Sequence, residues 1–252
     1  LLFLERAPDD RIRAAVALTE AERHHALRVL RLAAGDVVEA RDGRGGCYRV
    51  RVTRADRRDI TCELAEPARH EPPPGAPGAP LPRIELAVAW PRDARGEDML
   101  ARLVQLGVAA VRPLAMQHTG ADRRADRRER LERILVENLK QCGRAWLPEL
   151  AEPAPLAAVL ATWSGAEPAP VFALDPRAER DLATQLVDQR GAEALRLVVG
   201  PEGGFAPPEL AALDAAGALR ARLGPHVLRI ETAAEAACAL AACLLERRAT
   251  TV

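Results

Sequence analysis

The chain carries no net charge, almost no lysine, no long apolar run and no metal-ligand spacing, and each absence narrows the field. Its 36 basic residues are matched by 36 acidic ones, so total charge argues neither for nor against a nucleic-acid partner. Lys140 is the one lysine; every other basic residue is an arginine, whose guanidinium fork suits phosphate oxygens and base edges. A GC-rich genome would leave the same excess. No stretch approaches the roughly 18 consecutive apolar residues of a membrane span, and the apolar residues 1–4 are too few for a signal-peptide core. A cytoplasmic protein with no membrane partner is expected. Cys47, Cys62, Cys142, Cys238 and Cys243 form no C-x-x-C pair and the histidines are scattered, so no metal is expected and the thiols are expected to be buried and reduced. Neither G-x-G-x-x-G nor a G-x-x-x-x-G-K-[ST] phosphate loop occurs in the glycine turn of residues 200–204, so a nucleotide phosphate is not the obvious ligand.

What the chain does have is concentrated in residues 195–238. Leu195, Leu197, Val198 and Val199 predict a strand buried on both faces. Gly200-Pro201-Glu202-Gly203-Gly204 then packs three glycines and a proline into a turn, where missing Cβ atoms let the backbone approach a ligand. Pro207, Pro208 and Glu209 suit the first turn of a helix with Leu210, Leu213 and Ala216 on its buried face. The device recurs: a strand over 219–223, a break at Gly224-Pro225, and an alanine-rich helix running to about residue 247, small enough in its side chains to lie close against a sheet or another chain. Either loop alone reads as an ordinary turn; the pair marks a ligand site.

Residues 1–68 read as a small β-rich unit with strands over 37–40, 47–52 and 60–64 and a hairpin turn at Asp42-Gly43. A helix is predicted over 19–31, capped by Thr19, with Glu22 completing a capping box. Arg28 and Arg31 would share one face of it, either bridging adjacent phosphates or solvating a face above Leu27 and Leu30, with Arg11 and Arg13 extending the patch. Residues 69–82 form a linker stiffened by proline. Residues 83–252 alternate strands (84–89, 111–116, 170–174) with helices (97–106, 124–142, 181–189), an α/β pattern. Acids and arginines alternate over 122–133, as on a solvated helix face or in contact with an RNA backbone.

The run from Gly200 to Phe205, followed by Leu223-Gly224-Pro225 and Val227-Leu228-Arg229-Ile230-Glu231-Thr232, resembles the C-terminal half of the ribosomal RNA small subunit methyltransferase E family, of the SPOUT class. Residues 25–36 resemble its N-terminal motif, Leu106-Gly107-Val108 one of its triplets, and Gln141-Cys142-Gly143-Arg144 with Pro148-Glu149 the element closing its long helix. The resemblance implies a C-terminal α/β domain with a deep trefoil knot, preceded by a small PUA-like β-barrel that holds RNA. It further implies a homodimer, S-adenosylmethionine as cofactor, and methylation of N3 of a uridine in 16S ribosomal RNA of the small ribosomal subunit. The cofactor would rest on Leu174, Gly200, Pro201, Glu202, Gly203, Leu223, Gly224, Val227, Leu228 and Thr232. The chain departs from the family at Gln105 and Lys140, where an acid is usual, and at His226, where an arginine is common.

N3 of uridine is a weak acid, so its methylation needs the proton removed or the resulting anion stabilised. Arg229 is the first candidate for holding that anion; Glu231 would accept the proton or hold Arg229, and Glu202 is the second carboxylate. A structural ion pair or a helix-start carboxylate would account for the same residues. Arg28 and Arg31 are candidate RNA contacts, and Arg144 is a candidate RNA or active-site contact. The competing expectations are another SPOUT enzyme, acting on transfer RNA or on a ribose, and a catalytically silent RNA-binding or ribosome-assembly factor.

Overall fold

The computed structural model describes residues 1–5, 7–8, 14–56, 59–92, 94–115 and 124–247. Arg11, Arg13, the end of the strand expected over 111–116 and the start of the cluster at 122–133 lie outside them. The chain forms two compact units, one of Leu1–Pro73 with Val136–Leu147 and one of Pro74–Leu135 with Pro148–Val252.

The first unit is built on β1 (Leu2–Phe3), β2 (Ala15–Val16), β3 (Val37–Arg41), β4 (Gly46–Ala55), β5 (Ile60–Leu64) and β6 (Arg69–His70). They make one mixed sheet in the order β1-β3-β4-β5-β2, with β6 on β4. Along β4, Tyr48, Val50 and Val52 point into the core with Leu2, Leu4 and Leu64, while Arg49 and Arg51 stay in water, the alternation of a half-buried strand. The β3–β4 turn is held by Asp42: Oδ1 accepts the amides of Arg44 and Gly46 at 2.8 and 2.9 Å, and Oδ2 accepts the Tyr48 hydroxyl at 2.9 Å. His70, expected in a linker, instead pairs with Gly46 in β6.

The helix expected over 19–31 is shorter. α1 spans Glu20–His24, a π turn follows over His25–Val29, and Arg31 takes a left-handed φ of 53°. Arg28 and Arg31 are therefore both exposed but do not share a helix face. Thr19 Oγ1 accepts the Glu22 amide at 3.2 Å as the cap predicts. The returning half of the capping box is replaced: Glu22 Oε2 accepts the Phe3 amide at 3.0 Å, and Oε1 accepts Lys140 Nζ at 2.6 Å.

In the second unit β7 (Arg83–Ala89), β8 (Ala110–Leu114), β9 (Glu149–Leu150), β10 (Val171–Leu174), β11 (Ala194–Val199) and β12 (Leu219–Ala221) form an all-parallel sheet ordered β12-β10-β11-β7-β8-β9. The helices are α2 (Arg95–Gln105), α3 (Arg124–Cys142, whose end belongs to the first unit), α4 (Leu156–Ser164), α5 (Leu182–Val187), α6 (Pro207–Ala215) and α7 (Ile230–Leu245). The strand expected over 219–223 stops at Ala221, and α4 and β9 had no sequence expectation. α7 buries Ala234, Ala237, Cys238, Ala241 and Leu245 on one face, against α2, α5, β7 and β11. Its small side chains let the backbone lie close to the sheet.

β7 carries one charge inside the fold. Glu85 accepts hydrogen bonds from Trp163 Nε1 and Arg112 Nε at 3.0 Å and from Arg83 Nε at 3.1 Å. Burial alone would raise its pKa, but these bonds and the two guanidinium charges outweigh it and hold the carboxyl below its ordinary value. All five cysteines are free; Cys142 and Cys243 are exposed, contrary to expectation, because each lies on the outward side of its helix. Burial pushes the thiols of Cys47 and Cys62 up to about 11. No described helix is long and apolar enough to cross a membrane.

Candidate active site

Because the strands are parallel, β7, β10, β11 and β12 all end on one edge of the sheet, where open α/β sheets place their ligands. A cavity of about 910 Å³ opens there. The glycine turn after β11 forms one wall, the segment after β10 a second, and residues 223–228, after β12, a third. Leu174, Gly200, Pro201, Glu202, Gly203, Leu223, Val227 and Leu228, all expected from the sequence, line it; Gly224 and Thr232 are not among its lining residues. Val227 is 73% exposed, an apolar side chain left in water on the wall.

The three glycines of the turn have different reasons to be there. Gly204 has a φ of 80°, and its amide donates to Pro201 O at 2.9 Å. At Gly200 a Cβ would come within 2.8 Å of the Phe205 ring, so the ring occupies the space a side chain would need. At Gly203 a Cβ would meet nothing within 4 Å. Open space over bare backbone on the wall of a large cavity is the cradle a flat or extended ligand requires. Glu209 accepts the Ala206 amide at 2.8 Å, which fixes the end of the turn where α6 begins.

Of the expected catalytic residues, Glu202 lines the cavity, and Arg229 and Glu231 do not. Arg229 is exposed at the N-cap of α7. Glu231 sits in the first turn, its side chain 13% exposed, with Oε1 accepting Arg95 Nη1 at 3.4 Å. Its Oε2 is buried with no hydrogen-bond partner among the described residues. Arg28 and Arg31 lie in the first unit, as does Arg144, which follows the left-handed Gly143 and is half-buried. Burial lowers the Arg144 pKa, although a guanidinium stays charged throughout the working range.

Sequence reasoning missed the wall after β10. Asp175 follows Leu174 directly, its Oδ1 accepts the Arg177 amide at 2.9 Å, and Arg220 Nη1 lies 3.8 Å from its Oδ2. Arg177 and Arg180 line the same wall. The available signal was positional: the residue after a parallel strand faces the ligand edge. Arg95, after β7, was missed for the same reason. Among the described residues no group of His, Cys, Asp and Glu could hold a metal ion.

Residues 78–242 match the RNA methyltransferase domain family, and residues 18–65 the RNA methyltransferase PUA domain family. The chain is 31% identical over 240 residues to Ribosomal RNA small subunit methyltransferase E of Synechocystis sp., covering 95% of this chain and 77% of the relative. It is 32% identical over 259 residues to the protein of the same name from Mycobacterium bovis, covering 94% of this chain and 88% of the relative. A Ribosomal RNA small subunit methyltransferase E from Neisseria gonorrhoeae, solved bound to S-adenosyl methionine, shares the fold with a TM-score of 0.78 at 24% identity over 94% of each chain. A domain match across most of the second unit, joined to two relatives above 30% identity along nearly the whole length, means that this chain belongs to the ribosomal RNA small subunit methyltransferase E family.

Proposed function

We propose that the protein transfers a methyl group from S-adenosylmethionine to N3 of a uridine in 16S ribosomal RNA of the small ribosomal subunit. The observation that carries this reading is the cavity at the strand ends, with the bare backbone of Gly203 on its wall. Its volume of about 910 Å³ lies within the range of small-molecule and cofactor sites. The two relatives above 30% identity, both small-subunit ribosomal RNA methyltransferases, and the S-adenosyl methionine bound by the gonococcal relative of the same fold point the same way. The chain is further proposed to be a cytoplasmic homodimer, working without a metal, whose C-terminal segments are threaded as a deep trefoil knot.

When bound, the cofactor supplies a methyl carbon already activated by its sulfonium charge. The chain's own part is to bind, align and handle one proton. Leu174, Leu223, Val227, Leu228 and the glycine turn hold the donor, with Gly224 and Thr232 next to its wall. A carboxylate, Glu231 or Glu202, would take the N3 proton of uridine, and the methyl carbon would come from the cofactor, whose sulfur would leave with the electron pair of its broken bond. Arg229 steadies the charge shared with the flanking carbonyl oxygens. In the first unit Arg28 and Arg31, with Arg144, contact phosphates and so fix register without reading sequence.

Calorimetric titration of the full chain with S-adenosylmethionine tests the reading. One site per chain is expected, with a heat-capacity decrease from covering Val227 and its apolar neighbours. No binding would overturn it.

A further inference from the structure

Arg95 occupies a place that local helix chemistry does not reward. It opens α2, after Ala94 at the cap, where the helix dipole disfavours a cation; Glu97 and Asp98 already supply the acids this turn prefers. A residue that breaks a local rule is held by something outside its own element. Here the something is two carboxylates on other segments. Arg95 Nη1 lies 3.4 Å from Glu231 Oε1 and 4.0 Å from Glu202 Oε1. Neighbouring parallel strands explain the meeting: α2 follows β7, Glu202 follows β11, and these two strands pair from Arg83↔Ala194 to Val88↔Val199, so the segments after them leave the same edge side by side. Glu231 is 136 positions from Arg95 in sequence and two after Arg229.

The two contacts differ in kind. The Glu231 side chain is 13% exposed and that of Glu202 is 64% exposed, so the first pair is sheltered while the second is screened by water at the outer limit of an ion pair. Only Oε1 of Glu231 is engaged; Oε2 is buried and accepts nothing among the described residues. A carboxylate largely out of water and held by one oxygen owes its orientation to that one guanidinium.

We infer that Arg95 is a positioning residue for methyl transfer, which fixes the Glu231 carboxylate through Oε1 at the start of α7, beside the glycine turn. The inference rests on the reading of the cavity as the methyl-donor site. Arg95 itself touches neither donor nor base in this account; it acts through Glu231.

The test uses the full chain with small ribosomal subunits and S-adenosylmethionine, comparing wild type, Arg95→Ala, Arg95→Lys, Glu231→Gln and the double variant Arg95→Ala/Glu231→Gln. Arg95→Ala should lower kcat about 100-fold, the size of effect that a small misplacement produces, while KM for S-adenosylmethionine moves less than about threefold. Arg95→Lys should recover to within about tenfold of wild type. In the Glu231→Gln background Arg95→Ala should cost less than about threefold, because the carboxylate it acts through is already altered. A merely structural role would exact the same penalty in both backgrounds, and that result overturns the inference; so does a kcat for Arg95→Ala within about threefold of wild type. If Arg95→Ala does not fold, Arg95→Gln takes its place with the same expected direction. A wild-type chain that binds no S-adenosylmethionine sinks the cavity reading and this inference together, whereas normal wild-type turnover with an unaffected Arg95 variant sinks the inference alone.

Discussion

Lys140 Nζ lies 2.6 Å from Glu22 Oε1, joining the end of α3 to α1 inside the first unit, with the two side chains only 13% and 10% exposed. The second Glu22 oxygen accepts the Phe3 amide, so the carboxylate is fully engaged. A carboxylate at position 140 would face Glu22 at this distance, so a cation suits the site. Burial, and then the charge of Lys140, lower the pKa of His25 nearby.

Lys140→Met should destabilise the protein by roughly 3–5 kcal/mol, because it leaves Glu22 buried without its counter-charge. Lys140→Met combined with Glu22→Gln should recover most of that loss. Urea unfolding of the three proteins checks both statements, and equal stability of Lys140→Met and wild type would contradict them.

Glu85 predicts an acid limb in the stability profile. Its pKa is lower folded than unfolded, so its contribution is fully present above the ordinary glutamate value and is lost as pH falls toward the folded one. Glu85→Gln should cost roughly 3 kcal/mol near neutral pH, because Arg83 and Arg112 lose their buried counter-charge and keep only the half-exposed Glu149, and should flatten the acid limb. Unfolding free energies measured from neutral pH downward supply the comparison.

Two glycines of the turn should separate folding from binding. Gly203→Ala meets nothing within 4 Å and breaks no left-handed φ, so its unfolding midpoint should match wild type. Its affinity for S-adenosylmethionine should still fall at least about tenfold, if backbone and ligand approach as the missing Cβ allows. Gly200→Ala should instead lose stability as well, because the Phe205 ring must move.

Arg229→Ala should lose turnover, by about 100-fold or more, the scale seen on removing one stabiliser of a developing anion, and retain most of its affinity for the donor. Single-turnover methyl transfer with calorimetry on the same preparation makes the comparison. Unchanged turnover would remove Arg229 from the mechanism.

Much of this architecture could be read from the residues because local and tertiary signals agree. The apolar runs at 84–89 and 195–199 became paired central strands, and the glycine turn after the second became a cavity wall. Reading failed where tertiary contacts override local preference. Glu22 left its capping box for Lys140, more than a hundred positions away, and the helix through Arg28 loosened into a π turn before Arg31. α4 lies between Pro153, Pro155 and Gly165, with an alanine-rich sequence whose burial depends on the sheet beneath it. Arg95 and Asp175 carry no motif; their importance comes only from which strand ends lie side by side.

The most direct test of the central claim is transfer of labelled methyl from S-adenosylmethionine to small ribosomal subunits, followed by digestion of the 16S RNA to nucleosides. The account predicts that the label appears in 3-methyluridine. Label in a ribose-methylated nucleoside, or donor binding with no label transferred, would contradict it.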